Sequence, residues 1–262
     1  MIRVMQMINA RNDQTLNNLA SKDEPNIGSM LPRRRVLMSI MILLVVGIGL
    51  NLTQVDLAVS GLFADGQNGF PLRSSWLPER LLHYYAGKLT ILLALLVIVF
   101  NLIQLIRPNH SRDIIVAGRY VLFSWLASYA AVGVLKHTST LPCPWDLTAF
   151  GGSSVYLGLD KLYSSAYPVG HCFPAGHATG AYGLLCLGFV LLLFGKPMRA
   201  AVIPVMILGS AYSLAQLVRG AHFLSHDFFS VAICLFFSWM LAEFYLIPNL
   251  GLNPLFRTPK EN

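Results

Sequence analysis

Charge is scarce in this sequence. Only 12% of its 262 residues are Asp, Glu, Lys or Arg, and 55% are hydrophobic, whereas about a quarter of the residues in a soluble domain are charged. A soluble protein of this length could not bury so much apolar surface without leaving large apolar patches exposed. Apolar runs near twenty residues resolve this, because a helix of about twenty residues crosses the ~30 Å hydrocarbon core of a bilayer. The composition therefore predicts an integral membrane protein.

Other features are missing as well, and each absence excludes a class of function. The sequence has no internal repeat and no low-complexity tract, so one bundle of helices is expected to account for its length. It has neither a Gly-rich phosphate loop of the Walker type nor a carboxylate cluster suited to Mg²⁺, and we expect no cofactor and no metal. Its net charge of +7 does not indicate a nucleic-acid partner, because the basic residues flank apolar runs instead of sharing a polar face.

Six apolar runs predict an all-α, polytopic membrane protein with six transmembrane helices. The runs cover residues 36–52, 89–106, 114–135, 178–194, 200–218 and 228–247. Residues 1–32 are predicted to be a mobile cytoplasmic tail, residues 33–247 the six-helix membrane domain, and residues 248–262 a second cytoplasmic tail. A cleaved signal peptide in the first run is the alternative, but the long polar segment before it and the lack of a clear cleavage site disfavour that interpretation.

The basic residues predict the orientation of the bundle. With the N-terminal tail in the cytoplasm, the inner segments hold twelve Lys and Arg residues and the outer segments hold six. This split agrees with the excess of positive charge found on the cytoplasmic side of membrane proteins. Both termini are thus predicted to be cytoplasmic, in a bacterial inner membrane, and segments 136–177 and 219–227 to face the periplasm.

Three polar motifs fall in those outer segments. Lys136 ends the third run, Phe-Pro-Ala-Gly-His at 173–177 precedes the fourth, and Arg-Gly-Ala-His-Phe-Leu-Ser-His-Asp at 219–227 precedes the sixth. Lys and Arg neutralise phosphate, and free N–H groups at a helix N-terminus bind anions. One histidine can attack phosphorus while another protonates the leaving oxygen. The motifs predict metal-free phosphoryl transfer through a phosphohistidine.

These motifs, in this order, resemble those of the type 2 phosphatidic acid phosphatase family, which is related to the vanadium haloperoxidases. The resemblance covers roughly residues 85–247 and fits the six-span membrane branch of the family. It implies that His222 is the nucleophile and that His177 is the acid. The residues expected to bind the phosphoryl oxygens are Lys136, Arg219, Ala175 and Gly176.

The phosphate-binding positions depart from the family's pattern. Cys143 stands before a proline where the family usually has an arginine, and Ala175 stands where a serine is common. The family's other arginine lies six residues before the nucleophile, at the position of Gln216. Arg219 lies three residues before His222 instead, about one helical turn away, and is expected to reach the phosphate.

The residue that orients the nucleophile is also altered. The family has an aspartate four residues after the nucleophile, where this chain has His226, followed by Asp227. Either side chain could accept the other ring N–H of His222, and we favour Asp227 because a carboxylate stabilises imidazolium better. A zinc site formed by His222, His226 and Asp227 is an alternative, disfavoured because no glutamate lies between the histidines.

Two of the four cysteines adjoin the motifs. Cys143 and Cys172 lie in the segment predicted to be periplasmic, where an oxidising environment favours disulfides. We expect them to be bonded, with two free thiols as the alternative. Such a bond would tie the loop after Lys136 to the turn before His177.

The predicted function is hydrolysis of a lipid phosphate or diphosphate monoester at the membrane surface. Two alternatives remain open. The same site could pass the phosphoryl group to a second lipid, or the chain could be a non-catalytic lipid-binding membrane protein. The sequence indicates neither which lipid phosphate is the substrate nor the oligomeric state.

Overall fold

The computed structural model describes residues 32–106 and 110–251, and helices dominate both stretches. The helices are α1 (Arg33–Leu52), α2 (Val55–Gly61), α3 (Ala86–Ile106), α4 (Arg112–Thr138), α5 (Thr179–Tyr182), α6 (Cys186–Leu193), α7 (Arg199–Val218), α8 (Leu224–Leu241) and α9 (Ile247–Asn249). The π-helical segments Trp76–Tyr85 and Ala242–Leu246 lead into α3 and α9, and a 3-10 turn, Gly183–Leu185, joins α5 to α6. The all-α prediction is confirmed for the described residues. The predicted tails lie almost entirely outside them.

Five helices in the described part of the chain are long and apolar enough to cross a membrane. They are Arg33–Leu52, Trp76–Ile106, Arg112–Thr138, Arg199–Val218 and Leu224–Asn249. The remaining predicted run forms a shorter apolar helix, Thr179–Leu193, of fifteen residues. It occupies residues 179–193 of the predicted run 178–194, and Gly195, whose φ is 68°, turns the chain just after it. Helix length therefore supports five of the six predicted spans.

Helix α8 lies at the centre of the bundle. Of its spanning segment 56% is buried, compared with 11% for the span that contains α3. Its principal neighbours are α1 and α4, and the Tyr120 hydroxyl on α4 donates a 2.7 Å hydrogen bond to the Ser238 carbonyl on α8. Residues at the start of α8 are consequently held by the most enclosed helix, while α3 exposes its apolar side chains at the periphery.

Two glycines allow the helix that follows the Pro-Ala-Gly-His motif to pack closely. A Cβ atom at Gly183 would lie 2.3 Å from Cδ1 of Trp125 on α4, and one at Gly209 on α7 would lie 2.1 Å from the Tyr182 ring. Small residues at such crossings are typical of membrane bundles, since they let helices approach closely. The close packing fixes the position of α5, directly after His177.

The connection between α4 and α5 folds over one end of the bundle. Two apolar clusters anchor it: the first contains Phe70, Leu147, Phe150 and Phe223, and the second contains Leu141, Leu157 and Phe173. Each cluster joins the connection to a motif, because Phe223 directly follows His222 and Phe173 begins the Pro-Ala-Gly-His segment. These clusters bring the three motifs together at a single end of the bundle.

Candidate active site

Lys136 and the Pro-Ala-Gly-His turn lie in contact. Lys136 occupies the last turn of α4, and a Cβ atom added at Gly176 would lie 3.6 Å from its Nζ. A glycine at this position therefore leaves the ammonium group close to the backbone that precedes α5. Positive charge and the free N–H groups of a helix start together favour an anion. The predicted phosphate-binding residues Lys136 and Gly176 are thus brought together.

His222 lies in the short turn between α7 and α8. The turn requires glycine at position 220 for two reasons. The φ of Gly220 is 72°, and the ring of Phe70 occupies the space where a Cβ atom would lie. The Trp145 N–H donates to the Gly220 carbonyl at 2.9 Å, and the Ala221 N–H donates to the Gln216 carbonyl at 2.9 Å. The backbone on the N-terminal side of His222 is thereby fixed.

The environment of His222 favours a neutral imidazole. Its side chain is 6% exposed, and burial lowers its pKa well below the usual value, with the nearby charge of Lys136 acting in the same direction. Its Nδ1 lies 3.6 Å from the Sγ of Cys172. When the proton of the neutral ring is on Nδ1, which faces Cys172, the lone pair is on Nε2. A free lone pair is what a nucleophile requires.

His177 is only half-buried and occupies the other side of the site. Its Nε2 lies 2.9 Å from the carbonyl oxygen of Leu82, so this nitrogen donates the hydrogen bond. Its ring packs against His83 and Tyr212, with centroid distances of 4.5 and 5.4 Å. Burial lowers the pKa of His177, and the Leu82 carbonyl partly opposes that effect. The lowered pKa makes the protonated ring a stronger proton donor.

Arg219 is anchored by two hydrogen bonds. Its Nε donates to the Arg73 carbonyl at 2.9 Å, and an Nη donates to Oε1 of Gln216 at 3.1 Å. The amide nitrogen of Gln216 lies 3.0 Å from Nδ1 of His83. Gln216, which stands in the place of the family's arginine, therefore connects Arg219 to the histidine that packs on His177.

Both residues predicted to orient His222 have other partners. The Nδ1–H of His226 donates to the Cys172 carbonyl at 3.0 Å, and its ring centroid lies 6.0 Å from that of His222. The carboxylate of Asp227 accepts a 2.9 Å hydrogen bond from the Tyr182 hydroxyl on α5. Among the described residues no hydrogen bond joins Asp227 to His222, so the orienting role of Asp227 stays a prediction. Consecutive helical residues differ by about 100° in direction, so Asp227 faces α5 while His226 faces the Cys172 loop.

The cysteine pair adjoins His222. A disulfide joins Cys143 to Cys172, whose Cα atoms are 5.2 Å apart. Cys172 is fully buried, and its sulfur and carbonyl oxygen contact His222 and His226 respectively. The same residue therefore contacts both imidazoles, in the region where the family's pattern has an orienting carboxylate.

The sequence pattern of the PAP2 superfamily matches residues 117–248, just over half of the chain. The chain belongs to the PAP2 superfamily. Membership implies phosphatase-type activity on phosphate esters. The matched segment contains Lys136, His177 and His222, all of which lie at the same end of the bundle. No curated protein and no solved structure matched the chain.

Three residues of this PAP2 site are not apparent from the motifs. His83 precedes α3 and gives no motif signal, although it lies against His177. Gln216 is identified only by the family's missing arginine. Asp56 on α2 is fully buried and accepts hydrogen bonds from the Ser225 N–H, at 2.9 Å, and from the Ser225 hydroxyl. It thereby caps α8 three residues after His222, and burial raises its pKa while the Ser225 hydrogen bonds oppose the rise.

Proposed function

We propose that this PAP2 protein is a membrane phosphatase that hydrolyses a lipid phosphate or diphosphate monoester through a phosphohistidine. The observation that carries the proposal is a buried, neutral His222 beside Lys136 and opposite the half-buried His177. A nucleophile, a cation for the phosphoryl group and a proton donor are the three functions that metal-free phosphoryl transfer needs. The apolar spans support a substrate that is itself held in the bilayer.

The phosphoryl group would bind between the two histidines. The ammonium group of Lys136, the guanidinium group of Arg219 and the backbone N–H groups of Ala175 and Gly176 would hold its oxygens. Gln216 and the Arg73 carbonyl hold the guanidinium group through two of its nitrogens. Its remaining N–H groups have no hydrogen-bond partner in the part of the chain that the structure describes, so they would be able to bind an oxygen anion. Such fixed donors stabilise the charge of the transferring group, and this stabilisation usually contributes most to catalysis of this kind.

The tautomer of His222 determines which of its nitrogens attacks phosphorus. The Nδ1 of His222 faces Cys172, so its Nε2 supplies the electron pair that forms the P–N bond. The P–O bond to the lipid breaks, and His177 protonates the departing oxygen. A water molecule then attacks phosphorus with His177 as base, breaks the P–N bond and releases phosphate.

The membrane arrangement is part of the proposal. We infer that Thr179–Leu193 is the fourth of six spans, that both termini are cytoplasmic, and that the site faces the periplasm of a bacterial inner membrane. The twelve basic residues of the inner segments, compared with six outside, support this orientation. Cysteine accessibility to a membrane-impermeant reagent in intact cells, at an introduced Ser153→Cys and an introduced Lys196→Cys, tests it. Labelling at position 196 and not at position 153 would show that the orientation is opposite to the one proposed.

Phosphate release by the purified, oxidised protein in chelator tests the chemistry. The assay compares a panel of lipid phosphates with wild type, His222→Asn and His137→Asn. His137 is exposed and adjoins Lys136, so its variant is a matched control for histidine loss near the site. We expect full activity in chelator, loss of at least about 10³-fold in His222→Asn, and little change in the control. Equal activity in His222→Asn excludes this nucleophile, and phosphate appearing on an added lipid alcohol instead of in water indicates a transferase.

A further inference from the structure

The sulfur of Cys172 belongs to a cluster of potential metal ligands. One ligand atom from each of Cys172, His222 and His226 lies within 4.8 Å of the other two, and all three residues are buried. In the oxidised protein the sulfur is committed to its bond with Cys143. Reduction of that bond would release a thiol directly beside two imidazoles.

We propose that reduction of the disulfide converts this cluster into a Zn²⁺ site formed by Cys172, His222 and His226. Tetrahedral zinc with bonds of about 2.3 Å to sulfur and about 2.0 Å to nitrogen separates those two atoms by about 3.5 Å. The Sγ of Cys172 and Nδ1 of His222 are 3.6 Å apart. This edge of the coordination tetrahedron is therefore already formed.

His226 has the hydrogen bonding of a metal-binding histidine. Its Nδ1–H donates to the Cys172 carbonyl at 3.0 Å, which leaves the lone pair on Nε2. That nitrogen is buried and has no hydrogen-bond partner among the described residues. Zinc-binding histidines usually donate their second N–H to a carbonyl or carboxylate in this way, which fixes the tautomer and the ring. The unpartnered lone pair on this buried nitrogen therefore supports a bound metal ion, in addition to the distance between Cys172 and His222.

The third ligand is a thiolate and not the Asp227 carboxylate. Among the described residues, the group of neighbouring ligand atoms comprises Cys172, His222 and His226 without Asp227, whose carboxylate accepts the Tyr182 hydroxyl on α5.

A phosphine reduces the disulfide in a balanced reaction. The phosphine gives two electrons to the S–S bond and becomes a phosphine oxide with oxygen from water. Two protons complete the thiols of Cys143 and Cys172. Zinc then displaces the Cys172 proton without changing its own oxidation state.

Zinc binding would switch off the site, an effect that rests on the proposed function. Zinc on Nδ1 of His222 leaves the ring's proton on Nε2, so the electron pair that attacks phosphorus is lost. A protein that is reduced in the presence of zinc would therefore be inactive. Oxidised protein, whose Cys172 sulfur is not available, would be insensitive to the same zinc concentration.

Cobalt substitution tests the site without any activity measurement. The full-length protein in detergent is titrated with Co²⁺ when oxidised, when reduced with a phosphine, and as Cys143→Ser, in which Cys172 is free without reductant. We expect one Co²⁺ per chain with a thiolate-to-cobalt charge-transfer band in the last two samples. The oxidised protein should show no band, and Zn²⁺ should abolish the band where it occurs.

Two variants assign the ligands. The double variant Cys143→Ser/Cys172→Ser keeps the buried Cys186 and Cys234 thiols and should show no charge-transfer band. In the Cys143→Ser background, His226→Asn should weaken metal binding at least about tenfold, since even supporting residues change metal affinity by 10–100-fold. A band in the double variant, or none in both reduced wild type and Cys143→Ser, overturns the proposal. Phosphatase activity without metal binding would refute this site alone, and metal binding without phosphatase activity would refute the proposed function alone.

Discussion

The two sides of the site are held in different ways. On the nucleophile side, which comprises Cys172, His222 and His226, the imidazoles are buried against a backbone carbonyl and a disulfide. On the leaving-group side, which comprises His83, His177, Gln216 and Arg219, side chains hold one another and His177 is half-buried. In the proposed mechanism, burial keeps His222 neutral, while the partial exposure of His177 lets protons reach that ring. The first side would then depend on rigidity and the second on exchange with water.

The largest effect that separates the two sides is expected from His177→Asn. Loss of a general acid typically slows the step that it assists by 10²–10⁴-fold. The loss in kcat/KM should be greatest for lipid phosphates, whose alkoxide leaving groups need a proton, and much smaller for an aryl phosphate, whose leaving group is stable as an anion. His222→Asn should be inactive toward both. The comparison uses kcat/KM because this constant does not include the later hydrolysis of the phosphohistidine, in which His177 is proposed to act as base for both substrates. An equal loss in kcat/KM on both substrates would exclude His177 as the acid.

Removing the disulfide tests the rigidity of the nucleophile side. The two cysteines are 29 residues apart, and closing a loop of that length contributes roughly 3–4 kcal/mol in the chain-entropy model. The double variant Cys143→Ser/Cys172→Ser should therefore unfold at a lower temperature than wild type. Thermal denaturation of both proteins in detergent measures this difference. Cys143→Ser alone should lose nearly as much, because either change removes the bond. An unchanged unfolding temperature, or free thiols at both positions by mass spectrometry of the unreduced protein, contradicts the pairing.

The pH profile tests the charge that acts on the nucleophile. The acid limb of kcat/KM reports protonation in the free enzyme, and the pKa of His222 is lowered by burial and by Lys136. His222 therefore stays neutral, and activity persists, as the pH falls through 6.5. Lys136→Met removes a positive charge, so the pKa of His222 and the acid limb should both move to higher pH. Lys88→Met, at an exposed lysine on α3, should leave the limb where it is. A limb that does not move in Lys136→Met is evidence against this coupling.

The smallest expected effect concerns Gln216. In Gln216→Ala, Arg219 loses one of its two hydrogen bonds and His83 loses its partner. A lost hydrogen bond to a charged group costs about 1.5–3 kcal/mol, so KM should rise about tenfold or somewhat more, with kcat less affected. Gln216→Glu retains an oxygen that accepts the hydrogen bond from Arg219, but it lacks the N–H group that faces Nδ1 of His83. Recovery of KM in Gln216→Glu assigns the effect to Arg219, whereas no recovery assigns it to His83.

The sequence predicts well what depends on local pattern. Apolar runs identify five of the long helices, and the motif order identifies Lys136, His177 and His222 as residues that meet at one end of the bundle. The apolar run 178–194 forms the fifteen-residue helix Thr179–Leu193, which is shorter than the other five, and its crossing of the membrane stays a prediction. A count of apolar residues is thus a better guide to membrane association than to the number of spans.

The partners of individual polar side chains are the part that sequence does not predict. Asp227 faces Tyr182 instead of His222 because a single helical position changes direction by about 100°, and spacing alone does not fix the rotation of α8. Asp56 meets Ser225 across 169 positions, and His83 meets Gln216 across 133. Such contacts depend on how distant helices pack, so neither pair leaves a local motif.

The short helix Thr179–Leu193 has a consequence for the surrounding lipid. Fifteen residues rise only about 22 Å, some 8 Å less than a hydrocarbon core of about 30 Å. In the proposed six-span arrangement, the membrane around this helix would thin or dip locally. The Pro-Ala-Gly-His turn at its start would then lie below the headgroup plane of the neighbouring lipids. A phosphorylated lipid could reach the site by sinking a few ångströms within its own leaflet, with its hydrocarbon chains never entering water.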